Sequence, residues 1–429
     1  MTALKYRLSF FSIVAIALLF VHACDEPALE NGENRTAEIE VPEGFQVELI
    51  ADSLGYGRHI ASRPNGDLYL RLERANAGKT IVALRDTNGD LFADQIEYFA
   101  EEEGGTGIKV HKNHLYYSSD SQVFRRRFNG NELVPSGEVE LILSLEVTSQ
   151  QHAAKPIAFD QKGNMYITIG APSNACQEQD RKPGVAGIDP CPLLEKSGGI
   201  WKFKDDVLNQ KFEDGERYAT GIRHSVGICY NQKSERLYAM QHGRDQLHEF
   251  WPEYYSLKES AELPAEEFLE VAPGSDFGWP YCYYDHKRKV KLLNPEYGGN
   301  TDSTGRCSSK DYPLMGFPGH WAPNALEFYD GDNFPISYKG GAFIAFHGSW
   351  NRMPFPQQGY KVVFVPFSGY EPISGFQTFA SGFAGPSEPM TSGDAMYRPC
   401  GLAVAADGSL VISDSRAGRV WKVTYSGNE

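Results

Sequence analysis

The sequence predicts an all-β protein: a six-bladed β-propeller closed by an N-terminal strand in the last blade. Three observations predict it. A tight turn followed by an apolar, alternating strand recurs six times, as "RPNGDLYLRL" from Arg63, "HKNHLYYSSD" from His111, "DQKGNMYITIG" from Asp160, "NQKSERLYAMQHG" from Asn231, "YKGGAFIAFHGSW" from Tyr338 and "AADGSLVISDS" from Ala405. After each comes a second strand rich in Val, Phe and Trp: "GKTIVALRD", "SQVFRRRF", "GGIWKFKDD", "RDQLHEFWP", "YKVVFVPF" and "GRVWKVTY". Ahead of most turns runs a further strand, such as "HIASRPNG", "PIAFDQKG", "VGICYNQKS" and "GLAVAADG", so the unit has the strand order of a propeller blade. A two-sheet sandwich accounts less well for six matched copies.

Taken in order, residues 1–23 carry Lys5 and Arg7, then an uncharged run from Leu8 to Val21, and end at "VHAC". The run is short for a membrane span and reads as a secretory signal peptide. "VHAC" also resembles a bacterial lipobox, which makes Cys24 the expected lipidated residue of an exported lipoprotein, periplasmic or attached to the outer membrane. Residues 24–40 are acidic and polar and suit a flexible tether. The propeller occupies 41–429. Its first strand, "FQVELIAD" from Phe45, is free to complete the last blade beside "GRVWKVTY" and so to protect two sheet edges. Insertions at 171–197 and 253–320 make the repeat spacing irregular.

Export permits disulfides. Cys176 with Cys191, and Cys282 with Cys307, lie in long segments rich in Pro, Gly, Asp and Lys that need pinning, whereas Cys229 and Cys400 sit in apolar strands and read as packed thiols. No CxxC, CxxCH or Cys/His zinc spacing occurs, which argues against structural zinc and covalent haem. The formal net charge of −15 argues against nucleic acid as a partner. GxGxxG, Walker A, GxSxG and HExxH patterns are also absent.

In a propeller the entries of the first strands meet at one end of the axis. That places Arg58, His152, Lys155, Arg223, His224, Trp321, Asn324 and Arg398 together. The loops "MQHGRDQ", "FHGSWNR" and "SDSRAGR" turn back at the same end. So many cations in an acidic protein imply an anionic ligand held by charge-assisted hydrogen bonds.

At these residues the chain resembles the quinoprotein sugar dehydrogenases, the soluble aldose, sorbosone and pyranose dehydrogenase-like propellers that use pyrroloquinoline quinone (PQQ) and calcium. The resemblance covers about residues 41–425 and rests on "YATGIRHSVGICYN", "MQHGRDQL", "GSDFGWPYCYYD", "GAFIAFHGSWNR", "GYKVVFVPF" and "RPCGLAVAADGSLVISDSRAGRVWKVTY" in that order. It implies a sugar substrate, PQQ and a separate electron acceptor. His152 takes the place of the general base that removes a hydroxyl proton while hydride passes to the quinone, and Arg223 that of the group polarising the quinone oxygen. Arg58, Lys155, Arg223, His224, His347, Asn351, Arg352 and Arg398 become candidate cofactor contacts, and Trp350 a stacking surface. Calcium is expected on the backbone carbonyls near Gly243 and Arg244. Two departures stand out: Gln151 precedes the histidine where the better-known glucose dehydrogenases carry aspartate, and the calcium loop reads "HGRD" instead of a Gly-Pro form. They favour the sorbosone or pyranose branch over glucose.

"DTNGDLFADQIE" sets Asp86, Asn88, Asp90, Asp94 and Glu97 at positions 1, 3, 5, 9 and 12 of an EF-hand-like pattern, a possible second calcium site, although Leu91 stands where glycine is usual. Two other functions fit a propeller: a calcium-dependent lactonase, which needs carboxylates at the axis, and a binding module without turnover.

Overall fold

The computed structural model describes residues 39–427 apart from 103 and 147–148; the expected signal peptide, Cys24 and most of the tether lie outside the described residues. Six sheets follow one another along the chain, antiparallel except that the two-residue strand Ser275–Asp276 adds parallel to the outer strand of the third. Blade 1 runs Gly57–Ser62, Leu68–Asn76, Lys79–Arg85, Gln95–Phe99, and blade 2 Ile108–His111, His114–Ser118, Gln122–Arg127, Glu140–Ser144. Blade 3 is built from Ile157–Phe159, Asn164–Ile169, Gly199–Lys204 and Glu216–Thr220. Blade 4 is built from Ser225–Asn231, Arg236–Gln241, Glu266–Val271 and Met315–Phe317, and blade 5 from Pro323–Phe328, Ala342–Phe346, Lys361–Val365 and Gln377–Ala380. Blade 6 consists of Pro399–Val404, Leu410–Asp414 and Val420–Tyr425. Its fourth strand is Phe45–Ala51, which pairs antiparallel with the third, Val47 opposite Val423. The N-terminal strand therefore closes the ring as the sequence predicts.

Alternation along each strand gives every sheet two apolar faces, and each face packs against the next blade. Six buried clusters result, one at each seam; Trp421 with Phe343 and Leu410 marks the seam of blades 5 and 6, and Trp201 with Ile142 and Met165 that of blades 2 and 3. Each fully buried Leu, Ile or Phe contributes about 1.5–3 kcal/mol, so no seam can be lost cheaply. Each first strand lies beside the first strands of both neighbouring blades, which makes these six the wall of the axis.

Blade 4 departs from the sequence expectation. "RDQLHEFWP" is not its third strand but enters a short helix, Leu247–Phe250, with Leu247 and Phe250 buried three residues apart on one face. Gln246, at φ 65°, turns the chain out of the sheet before it. The third strand is Glu266–Val271, inside what the sequence marks as insertion. The same insertion supplies the fourth strand, Met315–Phe317, the helix Leu257–Glu262 and the hairpin Cys282–Asp285 with Val290–Leu293. Both expected disulfides are present, Cys176–Cys191 and Cys282–Cys307, and Cys229 and Cys400 are free and buried.

Candidate active site

The first strands of blades 1, 4, 5 and 6 share an irregularity: each carries a register shift at its entry, between Gly57 and Ile60, Ser225 and Gly227, Pro323 and Ala325, and Pro399 and Gly401. A bulge there releases the first residues from the pleat and lets them turn toward the axis. Gly401 serves this crowding, since a Cβ on it would lie 2.6 Å from the Arg58 carbonyl oxygen.

His152 precedes the short first strand of blade 3 in a left-handed conformation, φ 57°, which is strained for a residue with a side chain. Gly170 permits it, because a Cβ there would sit 2.5 Å from the His152 carbonyl oxygen. The Nδ1 atom lies 2.6 Å from the Ala171 carbonyl oxygen, so it carries the proton and Nε2 keeps its lone pair. Burial first, and then the Arg223 charge, hold the His152 pKa well below 6.5, so the ring is neutral at pH 7. Beside it opens a cavity of about 250 Å³ lined by Gln151, Lys155, Pro172, Glu195 and Lys196 among others. Gln151 donates from Nε2 to Asp180 Oδ2 at 3.2 Å, and does not touch the imidazole nitrogen that the carbonyl fixes.

Further imidazoles continue from His152. The His224 ring stacks on it with centroids 4.6 Å apart, and the His242 ring lies 4.8 Å beyond. His242 donates to the Pro323 carbonyl, His59 to the Asn324 carbonyl, and His347 pairs with Ser415 Oγ at 2.5 Å. Desolvation keeps all of them neutral, His242 at about 4 and His59 at about 3. The Nδ1 of His224 is buried with no partner among the described residues.

Three cations border these rings without a carboxylate within ion-pair distance among the described residues. Arg58 donates only to Thr106 Oγ1 at 3.3 Å; Lys155 donates to the Ala153 carbonyl at 2.7 Å; Arg398 donates to the carbonyls of His347 at 3.0 Å and Gly348 at 2.7 Å. Arg58 and Arg398 both act electrostatically on His347, and Lys155 on His224, so they belong to one cluster. Burial lowers the Lys155 ammonium from 10.5 to about 8, with the Asp120 charge opposing the shift only in part.

The floor is an ionic lattice. Arg223 and Arg181 share Asp245, at 2.7 and 2.9 Å from Oδ2; Arg244 pairs with Glu296, and Lys291 with Glu267. Arg223 holds the Asp245 carboxyl well below the usual carboxylate range despite its burial. Glu266 behaves oppositely: burial pushes it up to about 8, so it is mainly the neutral acid at pH 7 while accepting from the Gly243 and Ala322 amides. Four cations against three carboxylates leave the floor with one excess positive charge beneath Arg58, Lys155 and Arg398.

The structure brings His152, Lys155, Arg223, His224, His347 and Arg58 with Arg398 to one end of the axis. Asn351 reaches the floor, donating to Asp245 Oδ1 at 3.0 Å, with its own Oδ1 buried and unpartnered among the described residues. Arg352 corrects the expectation for it: its guanidinium is buried against Glu262 and the carbonyls of Ala261, Gly319 and Pro356, a loop clamp instead of a ligand contact. Trp350, between residues anchored on the floor and on the loop, is 53% exposed. The Gly243 carbonyl accepts from Arg223 Nη1 at 2.9 Å and keeps one lone pair, while the Arg244 side chain belongs to Glu296.

The residues expected to hold a second calcium lie in an exposed turn and the strand after it. Asp86 accepts from the amides of Asn88, Gly89 and Leu91, Asn88 from Asp90, and Asp94 from Thr87, while Glu97 is held in a strand opposite Ala83. Asp86 and Asp94 thus help close the turn, and among the described residues no three His, Cys, Asp or Glu side chains converge as metal ligands.

Sequence reading missed His59, Asn174, Arg181 and Glu266. Only His59 carries a signal: the dipeptide Arg-His occurs at 58–59 and again at 223–224, at corresponding entries of blades 1 and 4.

The geometry defines a propeller with a cationic bowl at one end of its axis and a neutral, tautomer-fixed histidine on its wall. The TrAA12-like family model matches residues 39–426, and the chain belongs to that family. A PQQ-dependent pyranose dehydrogenase of Coprinopsis cinerea is 30% identical over 434 residues, 90% of this chain and 54% of that protein, so this chain spans about half its length. An uncharacterised protein of Borreliella burgdorferi is 23% identical over 406 residues, 92% of each. The solved holo form of the PQQ domain of the Coprinopsis cinerea pyranose dehydrogenase superposes with a TM-score of 0.71 at 18% identity, covering 92% of this chain and 98% of that one; at that identity it shows the shared fold.

Proposed function

We propose that this chain is a PQQ-dependent dehydrogenase that oxidises a sugar, or a related aldehyde or alcohol, and delivers electrons to a separate acceptor. The observation that carries the reading is the set of three cations, Arg58, Lys155 and Arg398, with no carboxylate within ion-pair distance among the described residues, around a neutral histidine. The relatives' names agree with it. A planar tricarboxylate suits this donor set, and the buried Nδ1 of His224, without a partner among the described residues, is a further polar atom free to meet a ligand. Arg58, Lys155 and Arg398 would hold its carboxylates, with Trp350 as the exposed ring able to cover it. Bound PQQ supplies a two-electron acceptor for hydride.

The chain's own residues do the rest. His152 Nε2, its lone pair kept free by the Nδ1 bond to Ala171, takes the proton of a substrate hydroxyl held in the adjoining cavity. Arg223 makes four hydrogen bonds from the five N–H groups of a guanidinium, leaving one on Nη1 to stabilise negative charge that develops above the floor. Calcium, where it takes part, would rest on backbone oxygen of the Gly243–Arg244 segment and not on carboxylates, which suits a hard cation completed by the cofactor. The reading extends to an exported, lipid-anchored protein, from the Cys24 segment, and to the sorbosone or pyranose branch in specificity.

Purified apoprotein mixed with PQQ and calcium, then with a panel of pyranoses, sorbosone and polyols, tests this by dye reduction. Turnover with at least one of them is expected. A cofactor that neither binds nor turns over would overturn the reading, and lactone hydrolysis in its place would transfer the site to the hydrolase class.

A further inference from the structure

Arg223 is fixed by one residue more than by any other. Asn174, fully buried in the cross-linked segment between Ala171 and Ser197, offers it two acceptors: the backbone oxygen takes Nε at 3.2 Å, and Oδ1 takes Nη2 at 3.0 Å. The same side chain brackets the Arg223 counter-ion. Its Oδ1 also accepts the Asp245 amide at 2.9 Å, and its Nδ2 donates to the Asp245 carbonyl at 3.1 Å. Asn174 is held in turn from three sides. Its amide donates to Asp180 Oδ1 at 2.9 Å, Trp279 Nε1 donates to its carbonyl at 3.0 Å, and the Cys176–Cys191 bond closes the loop two residues on.

We propose that Asn174 is the positioning residue that fixes the Arg223 guanidinium, orienting the hydrogen of Nη1 not bonded within the protein toward the bound ligand. Asp245 supplies charge to Arg223 from one direction only; without the Asn174 side chain, the guanidinium keeps its bonds to the Gly243 carbonyl, to Asp245 and to the residue 174 backbone oxygen but loses the Oδ1 acceptor on Nη2, and Asp245 loses the amide that brackets its own backbone. The Asn174 side chain contributes geometry that a carboxylate alone cannot, since it is donor and acceptor at once. It touches neither substrate nor cofactor, and acts through Arg223.

The proposal rests on the reading of this end as a PQQ site, and two measurements keep the two apart. Crystal structures of apoprotein, wild type and Asn174→Ala, need no cofactor: Arg223 is expected in one conformer in the first and displaced or divided in the second. An unmoved Arg223 in the variant would overturn the proposal. Fluorescence titration with PQQ of wild type, Asn174→Ala, Arg223→Ala and the double variant is the second. Asn174→Ala should raise Kd at least tenfold, and should add less than twofold once Arg223 is alanine. Equal, additive losses in both backgrounds would mean a general structural role and would also overturn it. Should Asn174→Ala not fold, Asn174→Ser retains a hydroxyl and is read by the same two criteria. Failure of the wild type to bind PQQ would end the site reading alone, and the apoprotein structures would still decide the role of Asn174.

Discussion

Lys155 offers the sharpest perturbation because its environment changes when a ligand arrives. Its ammonium is buried, donates to the Ala153 carbonyl and has its pKa lowered from 10.5 to about 8. That shift corresponds to about 3 kcal/mol against the charged form. An anion beside it removes most of that cost and adds a charge-assisted bond worth about 1.5–3 kcal/mol, so Lys155→Met should raise the Kd for PQQ roughly 10- to 150-fold. The sign of the pH effect follows. The free protein loses the Lys155 proton as pH rises through about 8, while the complex keeps it, so affinity falls at alkaline pH. Between pH 7 and 9 the wild-type Kd should climb roughly tenfold, and in Lys155→Met it should stay level. The same shift predicts that apoprotein Lys155→Met is no less stable than wild type at pH 7, because a poorly solvated charge has gone. Fluorescence titration across pH, with thermal midpoints alongside, reads all three. A wild-type affinity independent of pH, or an identical pH slope in the variant, would refute the assignment.

His152→Ala should abolish turnover while changing the Kd for PQQ less than threefold; retained turnover would remove it as the base. Because the folded pKa of His152 lies well below 6.5, protonation silences it only at acid pH, and kcat/KM should show no acid limb between pH 6 and 7.5. Glu296→Ala leaves Arg244 buried without its counter-ion and should destabilise the fold by about 3–5 kcal/mol, read as a drop in the denaturant midpoint at unchanged slope. Asp245 has a folded pKa below its unfolded value, so its stabilising contribution is present above about pH 4 and fades as pH falls. Asp245→Asn should therefore flatten the acid limb of stability below pH 4.

The ring of blades is legible in the sequence because each seam needs the same alternating apolar faces and the same tight turn. The strand entries are legible for the same reason, and Arg58, His152, Lys155, Arg223 and Arg398 can be brought together from repeat position alone. The third strand of blade 4 is hidden because the insertion displaces it, and "RDQLHEFWP" has apolar residues that serve a helix face as well as a strand. Arg352 reads as a ligand contact from its place in "FHGSWNR", yet the partner that claims it, Glu262, comes from a helix no repeat announces. Asn174 escapes for a related reason: the hydrogen bonds that tie an insertion to Asp245 and Arg223 follow no periodicity. Spacing also does not reveal that amides of the turn itself bond the Asp86 carboxylate.

The central claim is that the cationic bowl takes up an oxidised quinone cofactor beside a histidine base. Anaerobic single-turnover spectroscopy tests it most directly: apoprotein loaded with one equivalent of PQQ is mixed with an excess of each sugar that supports dye reduction. Loss of the oxidised cofactor band in wild type, with the band preserved in His152→Ala at equal loading, is the predicted result. Bleaching at the same rate in both proteins, or a band that no sugar alters, would contradict it.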